Sequence, residues 1–136
     1  MNVLIDTDVL IDLALEREPH HGPAGQLLDA MELRKASGFL AWHSASNFYY
    51  LVAPRRGKTT TRSFLLDLAR FVEIAPTTTE SLRQAGRLKI RDFEDAMQVA
   101  AAMACGAEVI ATRNHRDYAG APIHAASPVD VLKMLG

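Results

Sequence analysis

The sequence predicts an α/β fold built on a parallel sheet of about five strands. Short apolar segments alternate with helical stretches along the chain, which is typical of parallel strands connected by helices. The 136 residues, 49% of them hydrophobic, suit one domain spanning residues 1–136 with a sizeable core. Polar residues also follow several of the apolar segments directly, as they do where a buried strand ends. Together these features predict the fold class.

Five segments are predicted strands because they are short, apolar and rich in β-branched or aromatic residues. They are Val3–Ile5, Phe39–Trp42, Phe71–Ile74, Val109–Ala111 and Ile123–Ala125. The carboxyl ends of parallel strands lie at the same edge of a sheet, where open α/β folds bind ligands. This edge is therefore where a functional site is expected.

The helices are predicted from apolar spacing and from capping residues. Gly106 follows the best-defined helix at the left-handed position that ends many helices. Ser127 and Pro128 are a cap followed by proline at the first helical position. The predicted helical segments are Val9–Leu15, Ala24–Lys35, one capped by Ser44, one beginning at Thr60 or Thr61, one from Pro76 through Leu88, Asp92–Cys105, and one after Ser127.

Composition excludes several classes of protein. The formal net charge of -1 argues against a strongly basic nucleic-acid coat, although Arg55–Lys58 forms a local basic cluster. The single cysteine, Cys105, excludes an internal disulfide and a cysteine zinc cluster. No apolar run approaches the roughly 20 residues of a membrane span, and Met1–Val3 lacks the basic start of a signal peptide. We expect a cytoplasmic protein with no membrane contact.

Polar side chains follow three of the predicted strands. Asp6 follows the first, Asn47 lies shortly after the second, and Thr112 follows the fourth. Asp92 and Asp95 stand three residues apart at the start of a helix, where both also suit the helix dipole. Helix capping alone could explain Asp6 and Asp92, so a structural role stays open. Their convergence at one sheet edge would instead give the oxygen ligands that Mg²⁺ or Mn²⁺ prefers.

The order of these residues resembles PIN-domain ribonucleases, most closely the VapC-like toxins of toxin–antitoxin pairs. The resemblance runs from Met1 to about Ala126. It is carried by the apolar strand ending at Asp6, by Ser44-Ala-Ser-Asn47, by Asp95-Ala96, and by Thr112-Arg113-Asn114 with Asp117-Tyr118. It implies a three-layer α/β/α fold, cleavage of RNA with Mg²⁺ or Mn²⁺, a possible antitoxin partner, and a homodimer.

The resemblance also implies roles for individual residues. The metal would be held by Asp6, Asp95, Asp92 and Asp117, while Thr112 would set the site through its hydroxyl group. Asn47 stands where the family usually has a glutamate, and Asn114 where it usually has an aspartate. Either Arg113 or Arg116 would hold the RNA backbone. The two amides carry no charge, which leaves open a PIN-fold module that binds RNA or an antitoxin without cutting.

A second alternative is a haloacid-dehalogenase-like phosphatase. Asp6 and Asp8 follow a strand with the spacing of that family's nucleophile and acid. Leu10, however, stands where that family has threonine or valine, and the later glycine–aspartate motif is missing. In the PIN interpretation, Asp8 is simply a residue at the start of a helix.

The segment from Asn47 to Ala53 is apolar at nearly every position. Phe48, Leu51 and Val52 are predicted to pack inward, which leaves Tyr49 and Tyr50 partly outward. Exposed tyrosine is enriched at protein interfaces. The segment therefore predicts a homodimer with Arg55–Lys58 near its rim, unless the next helix covers both tyrosines.

Overall fold

A computed structural model describes all 136 residues and contains five strands, seven α-helices and one 3₁₀ helix. The strands are β1 (Asn2–Ile5), β2 (Ser37–Leu40), β3 (Val72–Ile74), β4 (Val109–Ala111) and β5 (His124–Ala126). The α-helices are α1 (Thr7–Ala14), α2 (His21–Glu32), α3 (Trp42–Arg56), α4 (Lys58–Leu68), α5 (Thr79–Arg87), α6 (Phe93–Ala104) and α7 (Pro128–Leu135). The 3₁₀ helix is His115–Tyr118.

The five strands form one parallel sheet in the order β3-β2-β1-β4-β5. β1 is central, with Leu4 opposite Phe39 on one side and Ile110 on the other. The chain leaves β1, β2 and β4 at the same edge, so the residues following these strands are neighbours. The predicted fold class is confirmed.

Each face of the sheet is buried under helices, which makes three layers. Val3 and Ile5 join the larger core with Leu27 and Phe48 of the helices on one face. Leu4, whose side chain points to the opposite face, joins a second core with Val99 of α6. β1 is therefore apolar at successive positions, as expected of a parallel strand covered on both sides.

The start of α3 differs from the prediction. Trp42 is not the end of β2 but the first residue of the helix, and Ala41 rather than Ser44 is its N-cap. The chain turns into the helix as soon as it leaves the sheet, and the Ser44 N–H donates to the Ala41 carbonyl at 3.0 Å. Ser44 is completely buried, and its hydroxyl oxygen accepts a hydrogen bond from Gln98 at 2.6 Å. Its role is to bond across to α6.

The apolar face of α6 is divided between two neighbours. Ala96 and Ala100 pack against Ala85 of α5, whereas Val99 faces the sheet. Phe93, the first residue of α6, has 50% of its surface exposed. The helix ends predicted at Asp92, Gly106 and Ser127 are confirmed. Asp92 accepts from the first turn of α6, Ser127 accepts from Asp130 N–H, and Gly106 is left-handed at φ 63°.

Cys105 is a buried free thiol in the second core. None of the helices combines the length and the apolar character that crossing a membrane requires.

Candidate metal centre

An open cleft of about 400 Å³ lies at the carboxyl edge of the sheet. The side chains that line it come from the ends of β1 and β4 and from the starts of α1, α3 and α6. Most are acidic or amide groups, and we call it the acidic cleft: Asp6, Thr7, Asp8, Ile11, Asn47, Leu51, Asp92, Glu94, Asp95, Asn114 and Asp117. The predicted ligands Asp6, Asp92, Asp95 and Asp117 all line it, together with both asparagines.

Asp6 is held at the floor of the cleft, with 8% of its surface exposed. Its Oδ1 accepts a hydrogen bond from the Thr7 N–H at 2.7 Å, which makes it the N-cap of α1. Its Oδ2 accepts hydrogen bonds from the Thr112 hydroxyl at 2.8 Å and the Tyr118 hydroxyl at 2.9 Å. Asp6 therefore caps a helix and also belongs to the site, and its orientation is fixed by donors from the start of α1 and from beyond β4.

The first turn of α6 brings three carboxylates to the cleft. Asp92 Oδ1 accepts hydrogen bonds from the Glu94 and Asp95 N–H groups at 2.8 and 3.2 Å, so Asp92 is the N-cap. One oxygen from each of Asp92, Glu94 and Asp95 lies within 4.8 Å of the other two. Since only Oδ1 of Asp92 serves the cap, its Oδ2 is left for a ligand. Such a cluster of oxygen atoms fits a hard divalent cation.

The side of the cleft opposite α6 is formed by Asp8 and Asn114. The Asn114 side-chain amide donates to Asp8 Oδ2 at 2.8 Å. The Thr112 hydroxyl lies 3.4 Å from the same oxygen. Asn114 therefore presents its NH₂ group to a carboxylate, and its carbonyl oxygen is the atom left for another partner.

Burial and mutual repulsion raise the pKa values of the cleft carboxyl groups. Burial raises the pKa of Asp6, although the hydrogen bonds from Thr112 and Tyr118 lower it. Burial and then the charge of Asp6 raise the pKa of Asp8 to about 7. Burial followed by the charges of Glu94, Asp92 and Asp117 raises the pKa of Asp95 to about 7. Concentrated negative charge of this kind is relieved when a cation binds.

Behind these ligands, Gln98 of α6 links three parts of the site. It is completely buried, and its Nε2 lies 2.6 Å from Ser44 Oγ, 3.2 Å from Glu94 Oε2 and 3.4 Å from Asp6 Oδ1. His43 supports Glu94 from the other side, with Nε2 2.7 Å from Oε2. Together, Gln98 and His43 hold the Glu94 carboxylate between α3 and α6.

The two predicted RNA-binding arginines have different surroundings. Arg113 forms a bidentate ion pair with Asp12 of α1, at 2.8 Å from Nε and 3.1 Å from Nη2, and Asp12 is almost completely buried. Its guanidinium group therefore neutralises a buried charge, and its contact with RNA stays a prediction. Arg116 is exposed on the 3₁₀ helix and does not line the acidic cleft.

The sequence did not lead us to Glu94 or Gln98, Tyr118 was noted without a role, and the PIN interpretation treated Asp8 only as a helix-start residue. A local signal existed for Glu94 and Gln98, which are four residues apart and hence on one face of α6. No local signal joins His43 to Glu94 or Tyr118 to Asp6, because these pairs are 51 and 112 residues apart.

Away from the cleft, α3, α4 and the edge strand β3 enclose a groove of about 460 Å³. We call it the apolar groove, because all but one of its lining side chains are hydrophobic; among them are Trp42, Tyr49, Tyr50, Leu66 and Ile74. Tyr50 is 75% exposed, as predicted, and Tyr49 is half-buried. Leu51 was predicted to pack inward but is 58% exposed beside the acidic cleft. α3 therefore presents apolar side chains to both neighbouring cavities.

Comparison with solved structures finds the same fold in several proteins. A chain of the VapBC2 complex from Rickettsia felis, bound to a DNA fragment from their promoter, matches with a TM-score of 0.71 and 15% identity, covering 93% of this chain and 98% of that one. VapC20 from Mycobacterium tuberculosis, a sarcin–ricin loop cleaving toxin, matches with a TM-score of 0.68 and 19% identity, covering 86% and 93%. A chain of FitAcB from Neisseria gonorrhoeae matches with a TM-score of 0.68 and 18% identity, covering 93% and 98%.

No curated protein sequence matches this chain. A family model does, however: the PIN domain model matches residues 2–116, which include every residue that lines the acidic cleft except Asp117. The match assigns the Asp6-Thr7-Asp8 segment to that family rather than to haloacid-dehalogenase-like phosphatases. The chain belongs to the PIN domain family.

Proposed function

We propose that the protein is a metal-dependent endoribonuclease and the toxin of a toxin–antitoxin pair, acting in the cytoplasm. The observation that carries this proposal is the acidic cleft of a PIN domain, where carboxylates from β1 and α6 meet in a solvent-accessible depression. The fold shared with VapC20, a sarcin–ricin loop cleaving toxin, supports RNA as the substrate.

The donor set of the cleft fits Mg²⁺ or Mn²⁺. Asp6 and Asp95 would hold the ion, with Asp92, Glu94 and Asp117 as further oxygen donors around it. When bound, such an ion neutralises the charge that builds on the phosphate and activates a water molecule for attack. Cysteine or histidine ligands are not needed, since every donor named here is a carboxylate.

The chain's own residues orient the site. Thr112 and Tyr118 fix the Asp6 carboxylate by donating to its Oδ2, and Gln98 and His43 fix that of Glu94. Asn47, exposed at the rim on α3, would orient the phosphate through its amide. Arg116, exposed on the 3₁₀ helix, is the arginine more available to the RNA backbone, since Arg113 is paired with Asp12.

A second candidate is a PIN-fold module that binds RNA or an antitoxin without cutting. Asn47 and Asn114 favour it, because each places an amide where the family usually has a carboxylate and so lowers the negative charge available to a cation. The side-chain NH₂ group of Asn114 donates to Asp8 Oδ2, and this NH₂ group therefore cannot be a metal ligand.

Cleavage of structured RNA separates these candidates. We expect cleavage with Mn²⁺ or Mg²⁺ that stops on chelation and is abolished by Asp6→Asn or Asp95→Asn. Asp67→Asn is the matched control, because Asp67 is an exposed aspartate of α4 outside the cleft. Parent-level cleavage by both cleft variants would contradict the proposed site, and specific RNA binding without any cleavage would favour the binding module.

For partners, we propose a cognate antitoxin and a homodimer. The antitoxin is suggested by the likeness to chains of VapBC2 and FitAcB. The apolar groove supports the homodimer, because an exposed groove lined by Tyr50 and Leu66 is typical of an interface. Arg55 lies exposed in the last turn of α3, and we propose that it stands near the rim of this interface. Light scattering tests this, and a monomer mass at tens of micromolar would contradict it.

A further inference from the structure

A second pocket, of about 180 Å³, opens beside the acidic cleft between the starts of α3 and α5 and the middle of α6. We call it the Trp42 pocket, after the side chain at its mouth. Its walls include Trp42, His43, Thr77, Ser81, Leu82 and Ala101. No local pattern predicts this pocket, because its walls come from three separate stretches of the chain.

The Trp42 pocket and the acidic cleft are neighbours. The ring of His43 lines the pocket, while its Nε2 lies 2.7 Å from Oε2 of Glu94, which lines the cleft. Met97 lines the pocket three residues after Glu94 on α6, about 4.5 Å further along the helix axis. The hydrogen-bonded pair of His43 and Glu94 therefore forms a wall that the two cavities share, so that one ligand can reach both.

The walls combine apolar area with hydrogen-bonding groups. Trp42 is 70% exposed and Leu82 is 54% exposed, which leaves two large apolar side chains in water at the mouth of the pocket. Thr77, Ser81 and His43 provide hydroxyl and imidazole groups, and no lysine or arginine lines the pocket. A flat aromatic surface with nearby polar groups and no cation suits an uncharged heterocycle, and a phosphate would not be attracted there.

We propose that the Trp42 pocket binds one nucleobase of a single-stranded RNA whose phosphate enters the acidic cleft. This inference rests on the proposed function and adds a base-binding subsite to it. The base stacks on the Trp42 indole, and Thr77 and Ser81 lie where they can contact its edge. The pocket then determines which base lies beside the cleaved bond.

Trp42 is the single tryptophan of the chain, so its fluorescence reports directly on this pocket. The probe is a short single-stranded oligoribonucleotide, compared with copies that each lack one base. In stopped-flow mixing with Mn²⁺, we expect the intact RNA to quench Trp42 before cleavage. Removing the base at one position should abolish the quenching and weaken binding roughly tenfold, as loss of one stacked base does.

Variants test whether Trp42 is responsible. In Trp42→Ala, anisotropy of labelled RNA should show roughly tenfold weaker binding, and base removal at that position should have no further effect. KM should rise with little change in kcat. Leu33→Ala is the control, because Leu33, at the end of α2, is a large apolar side chain about as exposed as Trp42 and lines neither the Trp42 pocket, the acidic cleft nor the apolar groove. It should keep the full ratio of intact to abasic affinity.

The outcomes separate this inference from the proposed function. Quenching that depends on one base, without cleavage, would support the pocket and contradict the nuclease. If Trp42→Ala cleaves RNA with an unchanged KM and an unchanged ratio of intact to abasic affinity, the pocket is overturned and the proposed nuclease activity is supported. Binding and cleavage both absent would overturn both. A Trp42→Ala variant that changes only the mass in light scattering would make Trp42 a protein contact, and would also overturn the pocket.

Discussion

Asp95→Asn is expected to stabilise the metal-free protein at pH 8. Burial and the charges of Glu94, Asp92 and Asp117 raise the pKa of Asp95 from 3.8 to about 7. A shift of this size corresponds to at most about 4 kcal/mol. Asp95 is only half-buried, and solvent screening reduces the penalty to about 1–2 kcal/mol. Asp95 also stands in the first turn of α6, where loss of its favourable dipole interaction costs about 0.5 kcal/mol.

The net gain of about 1 kcal/mol should raise the Tm by about 3 °C. Because the folded-state pKa is raised, the Asp95 penalty is absent below pH 4 and fully present once the pH has risen through about 7. The stability advantage of Asp95→Asn over the parent protein should therefore be less than half as large at pH 5 as at pH 8. With saturating Mn²⁺, the Tm of the parent should exceed that of Asp95→Asn.

Calorimetric or circular-dichroism melts in chelator measure this, with Asp67→Asn as the charge-matched control. A Tm at or below that of the parent at pH 8, while Asp67→Asn is unchanged, would refute the reasoning that the cleft carboxylates repel one another. An equal gain at pH 5 and pH 8 would show that the stabilisation does not come from removing the Asp95 charge.

Other predictions concern the cleft, the buried ion pair and the apolar groove. Asn47→Glu adds a carboxylate at the rim and should tighten Mn²⁺ binding in titration calorimetry at least several-fold, whereas an unchanged affinity would place Asn47 outside the ligand set. The free energy of unfolding of the metal-free protein should fall from pH 5 to pH 8, because Asp8 and Asp95 have pKa values of about 7 in the folded state and ionise in this range. A free energy of unfolding in urea that rises steadily over this range would contradict those raised pKa values. Arg113→Ala should lower the free energy of unfolding in urea by about 3 kcal/mol, because it leaves the buried Asp12 without its bidentate partner. The control Arg116→Ala, at an exposed arginine, should lower it by less than about 0.5 kcal/mol, and equal losses would refute the role of Arg113. Tyr50→Glu places a charge in the apolar groove and should convert a homodimer to a monomer in light scattering, and a dimer that persists would exclude this groove as the interface.

The sequence determined the order of the elements, because strand and helix patterns are local. Val109–Ala111 is a strand with the predicted bounds, and Asp92, Ser127 and Gly106 cap or end helices as predicted. The acidic residues could be placed at one edge from sequence because all strands of the sheet are parallel and their carboxyl ends coincide. The resemblance to PIN domains grouped Asp6, Asp92, Asp95 and Asp117 before any distance was known, and all four line the acidic cleft.

Only the tertiary structure decided which partner each polar side chain takes. Arg113 was assigned to RNA from the sequence, but the pairing of β4 with β1, which α1 follows, places it against Asp12, 101 residues away. Glu94 became part of the site because His43 and Gln98 hold it between two helices. The Trp42 pocket exists only where α3, α5 and α6 meet. The spacing of apolar residues shows which face of a helix or strand is buried, because that spacing repeats with the period of the element. A site depends on contacts between elements that are far apart in the chain, and no repeating spacing in the sequence indicates those contacts.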